Sequence, residues 1–175
     1  MLSCSLVFVV TVASCDVVER ELPAGARLHS LQMSSDHTGS RLDLYDPAWG
    51  LHEDSLVYAH VFTMLPGCAK GWGLHEEHDD RYALLRGTIE IALYDPREQA
   101  SSFGLGVRVV IEESHRQLLI IPRGVWHATR NLGHNEALIA DFPTRPYRHQ
   151  NPDKFTLPLD TPEIPYQLGP EWRGF

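Results

Sequence analysis

The amino-acid sequence predicts an all-β protein, an antiparallel sandwich or barrel. Short runs in which apolar and polar residues alternate recur along the chain, as in Ile89–Tyr94, and this alternation is typical of half-buried strands. Gly, Pro and Asn interrupt the runs about every ten residues, which is the turn spacing of sandwiches and barrels. No long stretch places apolar residues at i, i+3, i+4 and i+7, the pattern of an amphipathic helix.

The predicted strands share β-branched, aliphatic or aromatic residues and end at turn residues. In chain order they are Leu56–Met64, Tyr82–Leu85, Ile89–Tyr94, Val107–Ile111, Gln117–Ile121, Val125–Arg130 and Ala137–Asp141. Arg86–Gly87, Pro122–Gly124 and Leu132–Asn135 are the turns between them. The segment from Pro143 to Pro170 is Pro-rich and irregular, and we expect it to wrap the outside of the barrel or to cover one end.

The length of 175 residues favours one domain, which we place at 21–175, with 1–20 as an N-terminal extension. The apolar run Leu6–Ala13 is too short to cross a bilayer. Val12–Cys15 is similar to a lipoprotein cleavage site, but no Lys or Arg precedes it, so the extension is favoured over export. The sparse, odd set of three cysteines fits a reducing compartment, and we predict a cytoplasmic protein.

The formal net charge of −8 argues against a nucleic-acid partner and against an anionic membrane surface. It leaves open a small anionic ligand, which a local group of Arg and His side chains could bind. The ten histidines are a large number for this length, and histidine is suited to proton transfer and to metal ligation.

Two clusters carry the polar residues that point to chemistry. The first is Gly73–Arg81, and the second is Pro122–His127 followed by Asn131, which matches the cupin motif PxGxxHxxxN. The Pro-x-Gly turn lets the next strand re-enter the barrel, so that its histidine points inward. The fold prediction is therefore a cupin-type jelly roll. His75, Asp80 and His127 would form a two-His-one-carboxylate site if a metal is bound.

From about Gly71 to Tyr166 the chain resembles the dTDP-4-dehydrorhamnose 3,5-epimerase family. The segments that carry the likeness are Gly73–His75 (RGLH in the family), Asp95–Gly104 (DxR…SPTFG), Arg116–His127 (RQLYIPPGFAH) and Asp160–Ile164 (a late Asp-Pro segment). The resemblance implies a dimeric jelly roll without a cofactor that acts on a 4-keto-6-deoxyhexose linked to a nucleoside diphosphate.

The resemblance also implies roles for individual residues. His75 would be the base that removes the proton next to the ketone, and Asp160 would orient its imidazole. A tyrosine on the opposite face would return a proton. The substrate-binding residues implied or suggested are Trp72, Arg81, Arg97 and His127.

Three positions depart from the family pattern. Trp72 replaces an arginine, the family's lysine on the next strand has no equivalent beside Asp80 and Arg81, and the strand Leu138–Thr144 lacks the catalytic tyrosine. Tyr147, slightly downstream, is the residue that would take over as proton donor. Two other readings stay open: a metal-dependent cupin enzyme, and a cupin that binds sugars without turnover.

Overall fold

The strands of the protein form two sheets and one small ribbon. The structure, a computed structural model, describes the backbone of 8–10 and residues 22–166 and 168–172. Its strands are β1 (Phe8–Val10), β2 (Arg27–Ser30), β3 (Met33–Ser35), β4 (Ser40–Leu42), β5 (His60–Met64), β6 (Ala69–Leu74), β7 (Asp80–Arg86), β8 (Thr88–Tyr94), β9 (Gly106–Glu112), β10 (Gln117–Ile121), β11 (Trp126–Asn131), β12 (Ala137–Asp141) and β13 (Phe155–Leu157). The one helical element among the described residues is a 3₁₀ turn at Pro47–Trp49. None of the helices in the described residues is long and apolar enough to span a membrane.

The sheets are those of an antiparallel jelly roll, as the sequence predicts. One sheet has the strand order β1-β9-β8-β11-β6-β13, the other β2-β10-β7-β12-β5, and β3 pairs with β4 alone. All these pairings are antiparallel except that of β1 with β9. Apart from β1, the predicted extension 1–20 lies outside the described residues.

Strand pairing explains where one predicted strand is shorter than expected. The apolar run Leu56–Met64 is a strand only from His60, because its partner β12 offers five residues, from Ala137 opposite Met64 to Asp141 opposite His60. Within the described part of the chain, the residues before His60 have no neighbouring strand, and Leu56 and Val57 are exposed.

The interior between the sheets is aliphatic at one end. Side chains from both sheets meet there, including Leu84 and Ile139 from one and Ile91 and Val109 from the other, and all four are fully buried. Fully burying one such side chain contributes about 1.5–3 kcal/mol. The strands therefore keep a fixed register, since a one-residue slip would turn these side chains outward.

Both outer faces of the sandwich are covered by segments that lie outside the two sheets. The C-terminal segment packs Ile164, Tyr166 and Trp172 onto the six-stranded sheet, which agrees with the expectation that the Pro-rich tail wraps the outside. Residues 31–51, with Tyr45 and Trp49, cover the five-stranded sheet in the same way. With both outer faces occupied, the space between the sheets is where polar side chains can gather around a ligand.

A buried ion pair closes the turn after β8. The carboxylate of Asp95 accepts hydrogen bonds from Nε and Nη2 of Arg97 at 2.8 and 2.7 Å and from the Ser102 hydroxyl. Arg97 also donates to the carbonyl of Ala24. Although burial would raise the pKa of Asp95, the hydrogen bonds from Arg97 and Ser102 outweigh it and lower the pKa.

Asp95→Asn should destabilise the protein by about 1–3 kcal/mol, because Arg97 loses its buried anionic partner. The folded pKa of Asp95 lies below the unfolded value of about 3.9. The contribution of Asp95 to the free energy of unfolding is therefore fully present above the unfolded pKa and is lost as pH falls through the folded pKa. Urea unfolding of wild type and variant, measured from neutral pH to pH 3, should show a difference in the free energy of unfolding that becomes smaller as the pH falls.

Asp43→Asn, which breaks an exposed pair with Arg41, is the matched control and should cost under about 1 kcal/mol. An equal loss in both variants would contradict the structural role of Asp95.

Candidate active site

A cavity of about 700 Å³ opens between the two sheets. This volume is within the range of small-molecule and cofactor sites. Its titratable lining residues are Tyr58, His60, Lys70, His75, His78, Asp80, Tyr82, His127, Asp141, Arg145, Tyr147 and Lys154. Strand alternation places several of them: Asp80 and Tyr82 on β7 face the cavity, whereas Arg81 between them faces the other side of the sheet.

Asp80 lies at the centre of a group of histidines. Its side chain is 3% exposed, and three imidazole nitrogens surround it: Nε2 of His75 and of His78 at 3.4 Å and Nε2 of His127 at 3.6 Å. Burial would raise the pKa of Asp80, but the neighbouring imidazoles of His75, His78 and His127 outweigh it and hold the pKa well below its usual range. Asp80 is therefore a buried carboxylate whose charge is balanced by imidazoles.

His75 follows β6 and is oriented from two sides. Its Nδ1 donates a hydrogen bond to the backbone carbonyl of Asp153, and its Nε2 faces Asp80. Burial alone would lower the pKa of His75, but the Asp80 carboxylate and the Asp153 carbonyl outweigh this effect and raise the pKa. An imidazole with a raised pKa and one fixed nitrogen is suited to proton transfer near neutral pH.

His78 is held by the side chain of the same aspartate. Oδ2 of Asp153 lies 2.8 Å from Nδ1 of His78, and the carboxylate also accepts the backbone N–H groups of Glu76 and Glu77 at 2.9 and 2.8 Å. The rings of His75 and His78 stack with their centroids 4.1 Å apart. Asp153 therefore ties the irregular C-terminal segment to the β6–β7 turn and fixes both rings.

His127 enters the cavity from β11, as the motif analysis predicts. It lies directly opposite Gly73 on β6, where a Cβ atom would sit 3.3 Å from Nε2 of His127. The Nδ1 atom is 3.4 Å from the carbonyl of Val125. Burial, only partly offset by the charge of Asp80, lowers the pKa of His127 to about 4, so this ring is neutral at physiological pH.

The five-stranded sheet adds a second acidic group to the cavity. Asp141 on β12 is 4% exposed, and Nε2 of His60 on the neighbouring β5 lies 3.6 Å from its Oδ2. Burial and the charge of Asp80 raise the pKa of Asp141 well above its usual range. Burial and the same two carboxyl groups raise the pKa of Tyr82 as well, so its phenol keeps its proton.

Two lysines supply positive charge to the cavity wall. Lys70 on β6 and Lys154, just before β13, both line the cavity, and Nζ of Lys70 lies 4.4 Å from the centre of the Phe62 ring. Burial, and then the charge of Lys154, lower the pKa of Lys70. An anionic ligand group placed between the two ammonium groups would relieve that repulsion.

The predicted substrate-binding residues do not all reach the cavity. Trp72 borders it, but its ring packs in the outer cluster at 6.3 Å from that of Tyr166. Arg81 lies behind the sheet, where its Nη2 donates to the carbonyl of Asp54 at 2.8 Å. Arg97 belongs to the Asp95 turn described above. Of the four predicted residues, His127 is the one whose ring faces the ligand space.

The predicted catalytic residues also differ in whether they line the cavity. His75 and Tyr147 line the cavity, with Tyr147 half-exposed. Asp160 is exposed and is absent from the cavity lining, and the carboxylate that contacts His75 is Asp80. The structure thus pairs His75 with the residue that the sequence analysis considered as a metal ligand. It also brings together His75, Asp80 and His127, the three residues of that alternative.

Sequence reasoning missed two residues that the structure adds to this group, His78 and Asp153. A signal for His78 existed, since His75, His78 and Asp80 lie close together in the sequence around one turn. No local signal marks Asp153, because it lies 78 residues from His75 and reaches it through the fold of the C-terminal segment. Lys70 and Lys154 were also missed.

The chain is similar to two curated proteins over most of its length. It is 33% identical over 149 residues to the spore coat polysaccharide biosynthesis protein SpsL of Bacillus subtilis. The aligned region covers 85% of this chain and 98% of that protein. It is 28% identical over 134 residues to the probable low-salt glycan biosynthesis epimerase Agl13 of Haloferax volcanii, covering 76% of this chain and 86% of that one. No family model matches the chain.

Among solved structures, the fold is similar to that of a dTDP sugar isomerase from Desulfovibrio desulfuricans. The two superpose with a TM-score of 0.76 and 26% sequence identity, over 83% of this chain and 91% of the isomerase. The agreement confirms the jelly-roll topology.

Proposed function

This chain belongs, as a divergent member, to the dTDP-4-dehydrorhamnose 3,5-epimerase family, and from that membership we propose that it epimerises a 4-keto-6-deoxyhexose carried on a nucleoside diphosphate. The observation that carries the proposal is the imidazole of His75, which lines a cavity of suitable size with one nitrogen fixed and the other beside the ionised Asp80. A catalytic base needs such a fixed ring and a nearby countercharge.

In the proposed reaction, His75 removes the proton from a carbon next to the C4 ketone. The C–H bond breaks, its electron pair forms the enolate, and the proton moves to Nε2 of His75. The resulting imidazolium lies 3.4 Å from Asp80, whose negative charge stabilises it. Asp80 therefore takes the partner role that the family resemblance gave to Asp160.

Inversion requires a second group that returns a proton to the opposite face of the sugar. Tyr147 is the proposed donor, because it lines the cavity with a half-exposed side chain that a bound sugar can reach. Tyr82 is less suited, since burial and two neighbouring carboxyl groups raise its pKa and keep the proton on the phenol.

We assign the diphosphate of the substrate to Lys70 and Lys154. Both line the cavity, and the positive charge of one disfavours the charged state of the other. A diphosphate would neutralise both. They would supply the cationic charge that the family's arginine provides and that Trp72 does not.

We also propose a homodimer and a cytoplasmic location. β5 is an edge strand of its sheet, and Val61 on it is 60% exposed while its neighbours His60 and Phe62 line the cavity. Leu65, just after the strand, is 62% exposed. An apolar edge strand is a surface that a second chain can cover. The cytoplasmic location rests on the sparse cysteines, of which Cys68 is free.

His75→Gln should abolish proton exchange, with a loss of about 10²–10⁴-fold, because the base is removed. The measurement is deuterium incorporation at C3 or C5 of dTDP-4-keto-6-deoxyglucose in deuterated buffer. His134→Gln, at an exposed turn, is the matched control and should retain the wild-type rate. If a folded wild-type protein incorporates no deuterium, the epimerase proposal fails, and thermal stabilisation by the nucleotide sugar without exchange would point to a binding protein.

Tyr147→Phe should separate exchange from inversion. Because His75 remains, deuterium should still enter the substrate from the base's face, while formation of the epimer falls by about 10²-fold or more. Product analysis by NMR distinguishes the two events. Tyr45→Phe is the control, since Tyr45 packs over Arg81 on the far side of the sheet. Unchanged epimer formation in Tyr147→Phe would reject Tyr147 as the donor.

Val61→Glu should convert the dimer to a monomer, because a charge would be buried at the proposed interface. Sedimentation velocity on both proteins measures the effect, and thermal unfolding shows whether the variant is folded. Met33→Glu places the same charge on another exposed apolar residue and should leave the dimer intact. A monomeric wild-type protein, or a dimeric Val61→Glu variant, would exclude this interface.

A further inference from the structure

Three imidazole nitrogens converge on one buried carboxylate in the cavity. Nε2 of His75 and of His78 lie 3.4 Å from the two oxygens of Asp80, and Nε2 of His127 lies 3.6 Å from Oδ2 of the same residue. The ligand atoms of His75, His78 and Asp80 all lie within 4.8 Å of one another. We propose that His75, His78 and Asp80 form a binding site for a divalent transition-metal cation such as Zn²⁺, with the imidazole of His127 beside it.

The first argument is the orientation of the rings. Each of the three histidines turns its Nδ1 atom to an oxygen acceptor: the carbonyl of Asp153 for His75, the carboxylate of Asp153 for His78, and the carbonyl of Val125 for His127. Each thereby turns its Nε2 atom to Asp80. Histidines that bind a metal through one nitrogen commonly donate the other N–H to a carboxylate or a backbone carbonyl.

The second argument is electrostatic. When Nδ1 carries the donated hydrogen, a neutral imidazole presents the lone pair of Nε2. Three lone pairs directed at a carboxylate repel it unless a cation lies among them. Protons can serve this purpose at individual rings, but a single divalent ion bound by His75, His78 and Asp80 satisfies these contacts at once.

The third argument is the spacing of the ligand atoms. Zn²⁺ binds histidine nitrogen and carboxylate oxygen at about 2.0–2.2 Å in a tetrahedral arrangement, which places ligand atoms about 3.3–3.6 Å apart. The separations of Nε2 of His75 and of His78 from the Asp80 oxygens, both 3.4 Å, fall in this range. Two imidazoles and one carboxylate favour Zn²⁺ and its transition-metal neighbours over Mg²⁺ and Ca²⁺, which prefer all-oxygen sites.

Metal binding at this site would also change the proposed catalysis. This one consequence rests on the proposed epimerase function. Nε2 of His75 is the atom that accepts the substrate proton, and it is also a metal ligand in the proposed site. One lone pair cannot serve both purposes, so the metal-free protein is the epimerase and Zn²⁺ is its inhibitor. The metal site itself does not depend on the epimerase activity.

The binding experiment uses the full-length protein after dialysis against a chelator. Titration with Zn²⁺ alone, monitored by isothermal titration calorimetry, should show one ion bound per chain. Co²⁺ in place of Zn²⁺ should give the intense visible absorption of a four-coordinate site. His78→Gln and Asp153→Asn should each weaken binding by about 10–100-fold, the first by removing a ligand and the second by releasing the rings. His134→Gln should bind as the wild type does.

No saturable binding of Zn²⁺ or Co²⁺ by the folded wild-type protein would overturn the metal site. Binding retained at full strength in the double variant His78→Gln/Asp80→Asn would also overturn it, provided that thermal unfolding shows this variant to be folded. Because these measurements need no substrate, they separate the metal site from the epimerase proposal. In the deuterium-exchange assay, added Zn²⁺ should lower the rate in proportion to occupancy, and a chelator should restore it. A rate that rises with occupancy would instead refute the role of His75 as free base.

Discussion

The interaction on which the site depends is the contact of the buried Asp80 carboxylate with three imidazoles. A carboxylate that is 3% exposed pays a large desolvation penalty unless positive or donor groups surround it. His127 provides that surrounding from β11 of the six-stranded sheet, and His75 and His78 provide it from the β6–β7 turn. The positions of the strands, the tautomers of the rings and the charge of the cavity are therefore linked through one side chain.

The jelly roll makes this arrangement possible because both outer faces of the sandwich are already covered. Residues 31–51 lie on one face and the C-terminal segment on the other, so that apolar packing is satisfied outside the cavity as well as at the aliphatic end of the interior. Alternation along β7 then directs Asp80 and Tyr82 inward and Arg81 outward. The C-terminal segment has a second task, since Asp153 within it holds His75 and His78.

Membership of the epimerase family and the composition of the site together describe a relative with altered chemistry. The histidine of the GLH segment is kept, but Trp72 stands where the family has an arginine, and an aspartate occupies the neighbourhood of the family's lysine. Replacing cations by Asp80 beside His75 changes the cavity from one that binds anions near the base to one that favours a proton or a metal ion there. Lys70 and Lys154 also line the cavity, and it is there that we propose the diphosphate binds.

The sequence by itself determined the all-β fold, most strand positions and the inward direction of His127, because alternation and turn residues are local signals that physical chemistry interprets directly. The motifs also identified His75 and Asp80 as candidates. The sequence did not determine which carboxylate touches His75, since Asp160 and Asp80 are both acidic residues in plausible segments and the choice depends on how the C-terminal chain wraps. Only the tertiary structure decided that Asp80 is the contact, that Arg81 and Arg97 lie outside the cavity, and that Asp153 reaches across 78 residues to orient two rings. Such contacts between distant segments are determined by packing and burial in the folded protein, and no periodic pattern in the sequence predicts them.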